Sequence, residues 1–179
     1  MEVNTLAIEG LLLLTPKRFS DERGYFMETF QEERYSTHLA EHFVQDNLSH
    51  SNRGVLRGLH LQLPPKAQGK LVQVLQGSVL DIALDLRAKS VTYGQYVSVE
   101  LSALNGHQLY IPPGFAHGFQ ALEDNTIFSY KCTEYYSSQD EVTIRWNDPE
   151  LHIKWPLNPP VVSSKDEQGV KFSSFQSPF

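Results

Sequence analysis

The sequence has only one cysteine, Cys132, among 179 residues, and it has no apolar run that approaches the roughly 20 residues of a membrane-spanning helix. A lone cysteine excludes an internal disulfide and a cysteine-based zinc site, and it fits a reducing compartment. The first residues also lack the basic start of a secretory signal. We therefore expect a cytoplasmic protein that has no membrane partner.

Positive charge is scarce, because 15 Lys and Arg residues stand against 21 Asp and Glu residues, which gives a formal net charge of -6. General binding to nucleic acid requires a basic surface that neutralises phosphates, so we expect no nucleic acid partner. A local basic pocket is still compatible with this balance. The length fits one domain that spans 1–179 and can enclose a full hydrophobic core.

Helical periodicity is rare, and most segments alternate between apolar and polar residues with the period of a β-strand. Turn residues separate them at the spacing of an antiparallel sandwich or barrel, so we predict a single all-β jelly roll. The predicted strands are Leu11–Leu14, Gly54–Gln62, Leu71–Leu75, Val79–Leu86, Gln95–Leu101, Gln108–Ile111, Thr126–Thr133 and Val142–Trp146. One helix is predicted over Gln31–Phe43 and a short turn near Asp148–Leu151. From about residue 155 the chain is expected to wrap the surface without a sheet of its own.

The segment Gly54–Gln62 is the first candidate for a functional site, because it places Arg57 and His60 in an otherwise apolar strand. A buried strand tolerates such side chains only if they are paired or line a cavity. On a regular strand, Arg57 and His60 point to opposite faces. A bulge at Gly58 would re-aim one of them, and the alternative is that Arg57 reaches the site by another path.

Carboxylates are expected beside the histidines. His60 can act as a general base near neutral pH, and a carboxylate is then needed to fix its tautomer. Asp81 and Asp85 share one face of their predicted strand, where buried carboxylates need partners. One of them is predicted to support His60 or His117. Pairing with Arg87 is the alternative for Asp85.

Lys70 and Tyr130 are the remaining candidates for chemistry. Lys70 begins a predicted strand, from which its ammonium group either reaches the same cavity as His60 or lies in solvent. Tyr130 alternates with Phe128, so its ring belongs either to the site or to the hydrophobic core. The pattern of residues leaves both pairs of alternatives open.

A metal site is the competing interpretation of the histidines. Jelly-roll metalloproteins present two histidines and a glutamate from one strand pair, and a further histidine from a Pro-x-Gly-x-x-His turn. The chain has that turn over Pro112–His117, but its earlier element is His60-x-Gln62, with no glutamate close behind. Two histidines and a neutral amide are a poor ligand set for a divalent metal. We therefore predict acid–base chemistry without a metal.

Short motifs along nearly the whole chain match one family in order and spacing. The matching segments are Phe19–Glu28, Val44–Ser49, Gly54–His60, Gln68–Val72, Asp85–Arg87, Ile111–Phe119, Tyr130–Lys131, Tyr135–Tyr136, Arg145–Asp148, Trp155–Pro156 and Ser164–Asp166. Together they resemble the dTDP-4-dehydrorhamnose 3,5-epimerases. The resemblance implies a cupin-type jelly-roll sandwich or barrel with a few short peripheral helices.

The resemblance also implies roles for individual residues. It matches His60 to a proton-abstracting base, Tyr130 to a proton donor and Lys70 to the group that stabilises an enolate oxygen. It matches Asp166, and less closely Asp81, to carboxylates that support the histidine. The residues matched to binding of the nucleotide sugar are Arg23, Glu28, Gln45, Asn47, Arg57, His117, Phe119, Tyr136, Glu141 and Lys165.

The implied activity is inversion of C3 and C5 of a dTDP-linked 4-keto-6-deoxy sugar, without a cofactor, in dTDP-rhamnose and polysaccharide biosynthesis. Leu61 departs from the aromatic residue that is usual after the histidine, which would loosen one wall of the sugar pocket. Three alternatives stay open. They are a single-carbon epimerase that shares nearly every motif, a metal-dependent cupin enzyme, and a non-catalytic sugar-binding module.

We also expect a homodimer. The resemblance implies dimers, and Val3–Leu14 carries more apolar residues than a frayed terminus needs. If the N-terminal part of the chain completes the partner's sheet or pocket, Arg23 and Glu28 reach the neighbouring site. The alternative is a monomer whose first strand pairs within its own chain.

Overall fold

Two β-sheets face each other across the main hydrophobic core. The structure is a computed structural model that describes residues 1–39 and 41–179. Its strands are β1 Glu2–Thr5, β2 Leu12–Thr15, β3 Arg18–Asp21, β4 Gly24–Met27, β5 Gln45–Ser51, β6 Val55–Gln62, β7 Lys70–Gln76, β8 Ser78–Asp85, β9 Tyr96–Ser102, β10 Gln108–Ile111, β11 Phe115–Ala121, β12 Thr126–Cys132, β13 Glu141–Thr143 and β14 Val161–Val162. The helices are α1 Glu32–Tyr35 and α2 Ser164–Glu167, with a 3-10 turn over Phe172–Ser174.

The first sheet has the strand order β1-β2-β10-β7-β12-β5, and all of its neighbouring strands are antiparallel. The second sheet has the antiparallel order β13-β6-β11-β8-β9, and β14 adds to β6 in parallel. β3 and β4 form a separate hairpin. Within the described residues neither sheet closes on itself. The all-β prediction is therefore confirmed, in its sandwich form.

Alternation along the strands fills the space between the sheets with apolar side chains. Val72 of β7 and Phe128 of β12 enter this core from the first sheet. Ala83 of β8 and Phe119 of β11 enter it from the second sheet. One face of each strand points into this core. Polar residues on that inward face therefore indicate where a cavity replaces the apolar packing.

Two further apolar clusters cover the outer faces of the sandwich. Leu59, Leu84 and Trp155 belong to a layer between the second sheet and the C-terminal segment. Tyr35 and Leu71 belong to a layer in which the segment around α1 covers the first sheet. The C-terminal segment packs against the second sheet, and β14 adds a strand to that sheet, which the sequence did not predict.

The predicted helix over Gln31–Phe43 is wrong in extent. The α1 helix covers only Glu32–Tyr35, and the chain then turns, with the Leu39 amide bonded to the Tyr35 carbonyl at 2.8 Å. The serine, threonine and histidine that follow α1 are weak helix formers. Ala40, which the prediction includes, lies outside the described residues. Among the described residues no helix is long and apolar enough to cross a membrane.

Six of the described strands escape the sequence patterns, namely β1, β3, β4, β5, β11 and β14. All seven residues of β11, Phe115–Ala121, are buried, so no alternation marks a strand there, and the sequence predicts only a turn that extends to Gly118. In β5 the pattern is inverted, because polar Asn47 and Ser49 face inward while Leu48 is 65% exposed. The predicted turn near Asp148–Leu151 is present.

Asp85 pairs with Arg87, the alternative that the sequence left open. The Nε and Nη2 atoms of Arg87 donate to the buried carboxylate at 2.9 and 2.8 Å. The hydroxyls of Ser90 and Thr92 each donate to it at 2.6 Å. Burial by itself raises the pKa of Asp85, but these hydrogen bonds outweigh burial and lower the pKa to about 2. The cluster ties the end of β8 to the following loop.

We predict that Asp85→Asn lowers the free energy of unfolding by about 2 kcal/mol near neutral pH, because hydrogen bonds to a buried charge are lost. A carboxylate whose folded pKa lies below its usual 3.8 stabilises the fold above that pH, and the contribution disappears as pH falls toward 2. Urea denaturation of both proteins should therefore give a difference that shrinks on acidification. A difference that stays constant would contradict this role of Asp85.

Candidate active site

A cavity of about 560 Å³ lies between the two sheets and collects most of the predicted site residues. Strands β6 and β11 of the second sheet supply one wall, and β7 and β12 of the first sheet supply the opposite wall. The C-terminal segment around α2 closes one side. A smaller cavity of about 140 Å³ shares His60, Lys70, Tyr130 and Glu141 with it. We call the two together the site cavity.

Arg57 and His60 face this cavity together because β6 contains a bulge. Their partners on β11 are Phe119 and His117, which are only two positions apart, so β6 carries one extra residue in this interval. The extra residue shifts the alternation, and both side chains line the cavity. The bulge predicted at Gly58 therefore resolves the conflict between strand geometry and a shared site.

The bulge requires glycine on both strands. Gly58 has a φ of +134°, and a Cβ there would lie 2.5 Å from the Cα of Gly118. A Cβ on Gly118 would lie 2.7 Å from the Arg57 carbonyl oxygen. Both contacts involve backbone atoms, which cannot move aside as a flexible side chain can. The close approach of β6 and β11 at the bulge thus depends on glycine, which has no Cβ, at both positions.

His60 and Asp166 form the central hydrogen bond of the site. Nε2 of His60 lies 2.6 Å from Oδ1 of Asp166, and Oδ2 accepts the Gly58 amide at 3.3 Å. Burial raises the pKa of Asp166, but the hydrogen bonds from His60 and Gly58 outweigh it and hold the pKa below its usual value. The carboxylate therefore remains ionised near neutral pH, and it fixes the orientation of the imidazole ring.

The α2 helix presents Asp166 to His60. Ser163 caps the helix, and its hydroxyl oxygen accepts the Asp166 amide at 3.2 Å. The β14 strand, which directly precedes α2, pairs in parallel with β6 and so brings the start of the helix beside the site. Sequence reasoning missed Ser163, although a serine three residues before an acidic residue is a common helix-capping pattern. It also missed Phe128, which lines the cavity from β12.

Lys70 and Tyr130 reach the cavity from the first sheet, opposite His60. The Nζ atom of Lys70 lies 3.5 Å from the His60 backbone oxygen, so the lysine crosses the gap between the sheets. Burial lowers the pKa of Lys70, and nearby acidic groups oppose this effect. Burial raises the pKa of Tyr130 to about 12, so its hydroxyl is protonated at neutral pH. The sequence left open whether Lys70 lies in solvent and whether Tyr130 belongs to the core. In the structure both side chains line the cavity.

The structure pairs Asp81 with His117 and not with His60. Oδ2 of Asp81 lies 2.9 Å from Nε2 of His117, and both side chains are buried. Within the described residues, Oδ1 of Asp81 has no hydrogen-bond partner. The His117 ring stacks on Phe128, with ring centroids 5.9 Å apart. The expected carboxylate–histidine pairing on this strand is present, but it does not support the residue matched to the base.

A network of polar side chains borders the smaller cavity. Glu141 accepts the Tyr136 hydroxyl at 2.8 Å and pairs with Lys165. Burial raises the pKa of Glu141, but the bonds from Lys165 and Tyr136 outweigh it and lower the pKa. Gln45 accepts the Tyr136 amide at 2.9 Å and donates to Asn47 at 3.1 Å. The structure thus brings five residues matched to nucleotide-sugar binding into one connected group.

Arg57 and Phe119 line the larger cavity. The Arg57 guanidinium donates to the Ser51 hydroxyl and to the His50 carbonyl, each at 3.1 Å, and its side chain remains exposed. Phe119 stacks on Phe128, with centroids 4.1 Å apart. The cavity therefore combines a positioned cation with an aromatic wall.

Arg23 and Glu28 lie outside the site cavity of their own chain. Arg23 sits in the turn of the β3–β4 hairpin, is 85% exposed and pairs with Asp21 at 2.5 Å. Glu28 pairs with Arg34 at 3.0 Å. Within one chain, these two predicted binding residues do not join the others.

Leu61 has a different position from the one expected of a pocket wall. It borders the smaller cavity, but its side chain is 3% exposed and packs in the apolar layer on the outer face of the second sheet. Alternation from His60 accounts for this, since consecutive residues of a strand face opposite sides. The structure thus places the Leu61 side chain in the apolar layer, and its effect on the sugar pocket stays a prediction.

The chemical character of the site is that of proton transfer. Within 1–39 and 41–179, no three His, Cys, Asp or Glu side chains are grouped in a way that could hold a metal ion. The groups that come together are a histidine–aspartate pair, a half-buried lysine and a protonated tyrosine. Such groups can remove a proton, stabilise the negative charge that results and return a proton.

Comparisons with known proteins agree on one family. A family model described as dTDP-4-dehydrorhamnose 3,5-epimerase matches residues 5–174. The dTDP-4-dehydrorhamnose 3,5-epimerase of Shigella flexneri is 48% identical over 174 residues, which cover 96% of this chain and 96% of that relative.

Solved structures show the same similarity. A crystal structure of dTDP-6-deoxy-D-glucose-3,5-epimerase from Legionella pneumophila in complex with dTDP-4-keto-L-rhamnose has a TM-score of 0.91 at 47% identity, over 95% of this chain and 91% of that chain. The dTDP-4-dehydrorhamnose 3,5-epimerase of Bacillus anthracis, with TDP and PPi bound, has a TM-score of 0.93 at 44% identity. That match covers 95% of this chain and 98% of the other.

We predict that Gly58→Ala destabilises the protein more than Gly54→Ala does. Both glycines have a positive φ, but a Cβ on Gly54 meets nothing within 4 Å, whereas one on Gly58 meets backbone. Gly54→Ala should cost about 1 kcal/mol for the backbone conformation alone, and Gly58→Ala about 3 kcal/mol or more. Urea denaturation measures both. Equal losses would show that contact across the bulge does not constrain the fold.

Proposed function

The chain belongs to the dTDP-4-dehydrorhamnose 3,5-epimerase family, and we propose that it inverts C3 and C5 of a dTDP-linked 4-keto-6-deoxy sugar for dTDP-rhamnose synthesis. As a member of this family it is an isomerase. The observation that carries the proposal is the placement of the His60–Asp166 pair and the Tyr130 hydroxyl on opposite walls of one cavity.

Inversion at a carbon beside a ketone needs two separate groups. His60 removes the proton from C3 or C5, and the electron pair moves into the carbonyl to give an enolate. Tyr130 then delivers its proton to the opposite face of the same carbon. His60 lies on the second sheet and Tyr130 on the first, so a sugar ring between them presents one face to each. The catalytic groups recover their protonation states by exchange with solvent.

The enolate oxygen needs a positive partner, and Lys70 is placed to supply it. Its ammonium group is drawn into the cavity from the first sheet and reaches the His60 backbone. A charge–charge contact in such a site is stronger than in water, because little solvent screens it. Asp166 contributes through His60, since an ionised neighbour stabilises the imidazolium that forms when the base takes a proton. This scheme requires no cofactor.

The diphosphate of the substrate carries negative charge that the cavity can meet with Arg57 and Lys165. A guanidinium can bind phosphate oxygens through two parallel hydrogen bonds, whereas an ammonium acts as a point charge. The Legionella pneumophila structure is a complex with dTDP-4-keto-L-rhamnose, which supports a dTDP-sugar as the ligand here. We assign this activity to the cytoplasm, in keeping with the single cysteine.

We further propose a homodimer in which Arg23 and Glu28 complete the partner's site. The β1 strand pairs with β2 in the same chain, so no strand exchange is needed to fill the first sheet. The β3–β4 hairpin, however, exposes Phe19 and Phe26 by 54% and 69%. Exposed aromatic rings on a projecting hairpin favour burial against another chain. A partner surface that covers them would also place Arg23 next to a second molecule.

We predict that His60→Asn abolishes deuterium incorporation at the sugar carbons while it leaves nucleotide-sugar binding largely intact. The substitution removes the base but not the groups that hold the diphosphate. Proton NMR of the 4-keto-6-deoxy nucleotide sugar in deuterium oxide measures exchange and reports which carbons exchange. Persistent exchange in this variant would exclude His60 as the base. Exchange by the wild-type enzyme at one carbon only would identify a single-carbon epimerase.

Tyr130→Phe should separate the two halves of the reaction. If Tyr130 only returns a proton to the enolate, His60 still catalyses exchange at the sugar carbons, and net inversion falls by about 100-fold or more, as is usual for loss of an acid catalyst. Comparing exchange with product formation in the same NMR sample measures both rates. Equal loss of exchange and inversion would assign Tyr130 a structural role instead.

Mixing two inactive variants tests the shared site. We expect Arg23→Ala and His60→Asn proteins to regain activity when they are unfolded and refolded together, because a heterodimer contains one site with neither substitution. If sites use only their own chain, the mixture stays inactive apart from the residual activity of each parent. Sedimentation equilibrium of the wild-type protein provides the control, since a monomer would refute the homodimer directly.

A further inference from the structure

We propose that Gln62 is a positioning residue that holds Tyr136 at the site cavity through the backbone on both sides of that tyrosine. The inference rests on the proposed function, because it assigns Tyr136 to contact with the nucleotide sugar. Gln62 lies two positions after His60 on β6 and is 4% exposed. It stands where a metal-binding jelly roll would carry a ligand, yet its three side-chain hydrogen bonds all go to backbone groups.

Three hydrogen bonds define the role of Gln62. Its Nε2 donates to the Lys66 carbonyl at 2.6 Å and to the Tyr135 carbonyl at 3.2 Å. Its Oε1 accepts the Ser137 amide at 2.7 Å. The Tyr135 carbonyl and the Ser137 amide belong to the two peptide groups that flank Tyr136. One buried side chain therefore hydrogen-bonds to the peptide group on each side of Tyr136.

The segment around Tyr136 needs such support because it belongs to no sheet. Residues 133–140 follow β12 and precede β13 without strand pairing. Gln45 accepts the Tyr136 amide at 2.9 Å, and Gln68 donates to the Glu134 carbonyl at 2.6 Å. Side-chain amides thus replace the ladder that a strand would provide. Among the described residues, Gln62 is the one side chain that hydrogen-bonds to both peptide groups beside Tyr136.

The chemistry of the contacts requires an amide at this position. Two of the partners of Gln62 are carbonyl oxygens and one is an N–H group, so the residue must donate and accept at once. A glutamate keeps the size but offers no donor when ionised, and it would face two carbonyl oxygens. A leucine keeps most of the volume and removes the hydrogen-bond partner of three backbone groups. Leucine removes all three bonds, whereas glutamate keeps an acceptor for the Ser137 amide but repels the Lys66 and Tyr135 carbonyl oxygens.

The kinetic test compares Gln62→Leu with Gln120→Leu. Gln120 is a matched control, because it is a fully buried glutamine that donates to the Leu157 carbonyl at 2.7 Å and accepts the Leu157 amide at 3.0 Å. We expect Gln62→Leu to raise KM for the nucleotide sugar about tenfold, as the loss of one good contact does, with a smaller effect on kcat. Gln62→Glu should raise KM at least as much. Gln120→Leu should lower the melting temperature and leave KM within about twofold. An unchanged KM in Gln62→Leu, or an equal rise in Gln120→Leu, would overturn the proposal.

A double-mutant cycle shows whether Gln62 acts through Tyr136. If it does, adding Gln62→Leu to Tyr136→Ala changes KM by less than about twofold, because the ring that Gln62 positions is already gone. Independent, multiplicative effects on KM would contradict this.

Hydrogen exchange supplies a readout that needs no activity, since the Tyr136 and Ser137 amides should lose protection in Gln62→Leu and keep it in Gln120→Leu. Failure of the wild-type protein to exchange sugar protons would refute the proposed function. Undiminished amide protection in Gln62→Leu would refute only the positioning role of Gln62.

Discussion

The contact between the backbones of Gly58 and Gly118 is the constraint on which the site depends. It lets β6 and β11 approach more closely than any side chain would permit, and it accommodates the extra residue that turns Arg57 and His60 to one face. The Gly58 amide also donates to Asp166, so the same bulge helps to hold the carboxylate that orients the base. A cation, a base and the support of that base all follow from one irregularity in one strand.

The two sheets divide the chemistry between them. The second sheet and the C-terminal segment hold His60 and Asp166, which are 106 positions apart in the chain, while the first sheet holds Lys70 and Tyr130. A sandwich separates its sheets by about 10 Å, a distance that suits a sugar ring with a group on each side. The fold thus provides two opposed faces in advance, and inversion of a carbon requires groups on both.

Polar groups in the interior are tolerated because almost every one has a partner. His117 has Asp81, Glu141 has Lys165, and the buried amide of Gln62 satisfies loop backbone that no strand pairs. The inward face of β5 is polar while its Leu48 is exposed, which is the reverse of an ordinary strand in a sandwich. The core is therefore apolar at one end and is replaced at the other by a hydrogen-bonded cavity.

The sequence by itself determined the fold class, most strands and the identity of the chemical groups, because alternation and turn residues are local signals and the motifs keep their order along the chain. It did not determine β11, whose residues are all buried, or the end of α1, which packing sets. The family resemblance had already matched Asp166 to the histidine, and the structure has this pair. Tertiary structure alone decided that Asp81 serves His117, since this pairing joins two strands whose register no local pattern encodes. It also decided that the Leu61 side chain packs in the outer apolar layer and that the amide of Gln62 holds a loop, because register and burial exist only once the strands have paired.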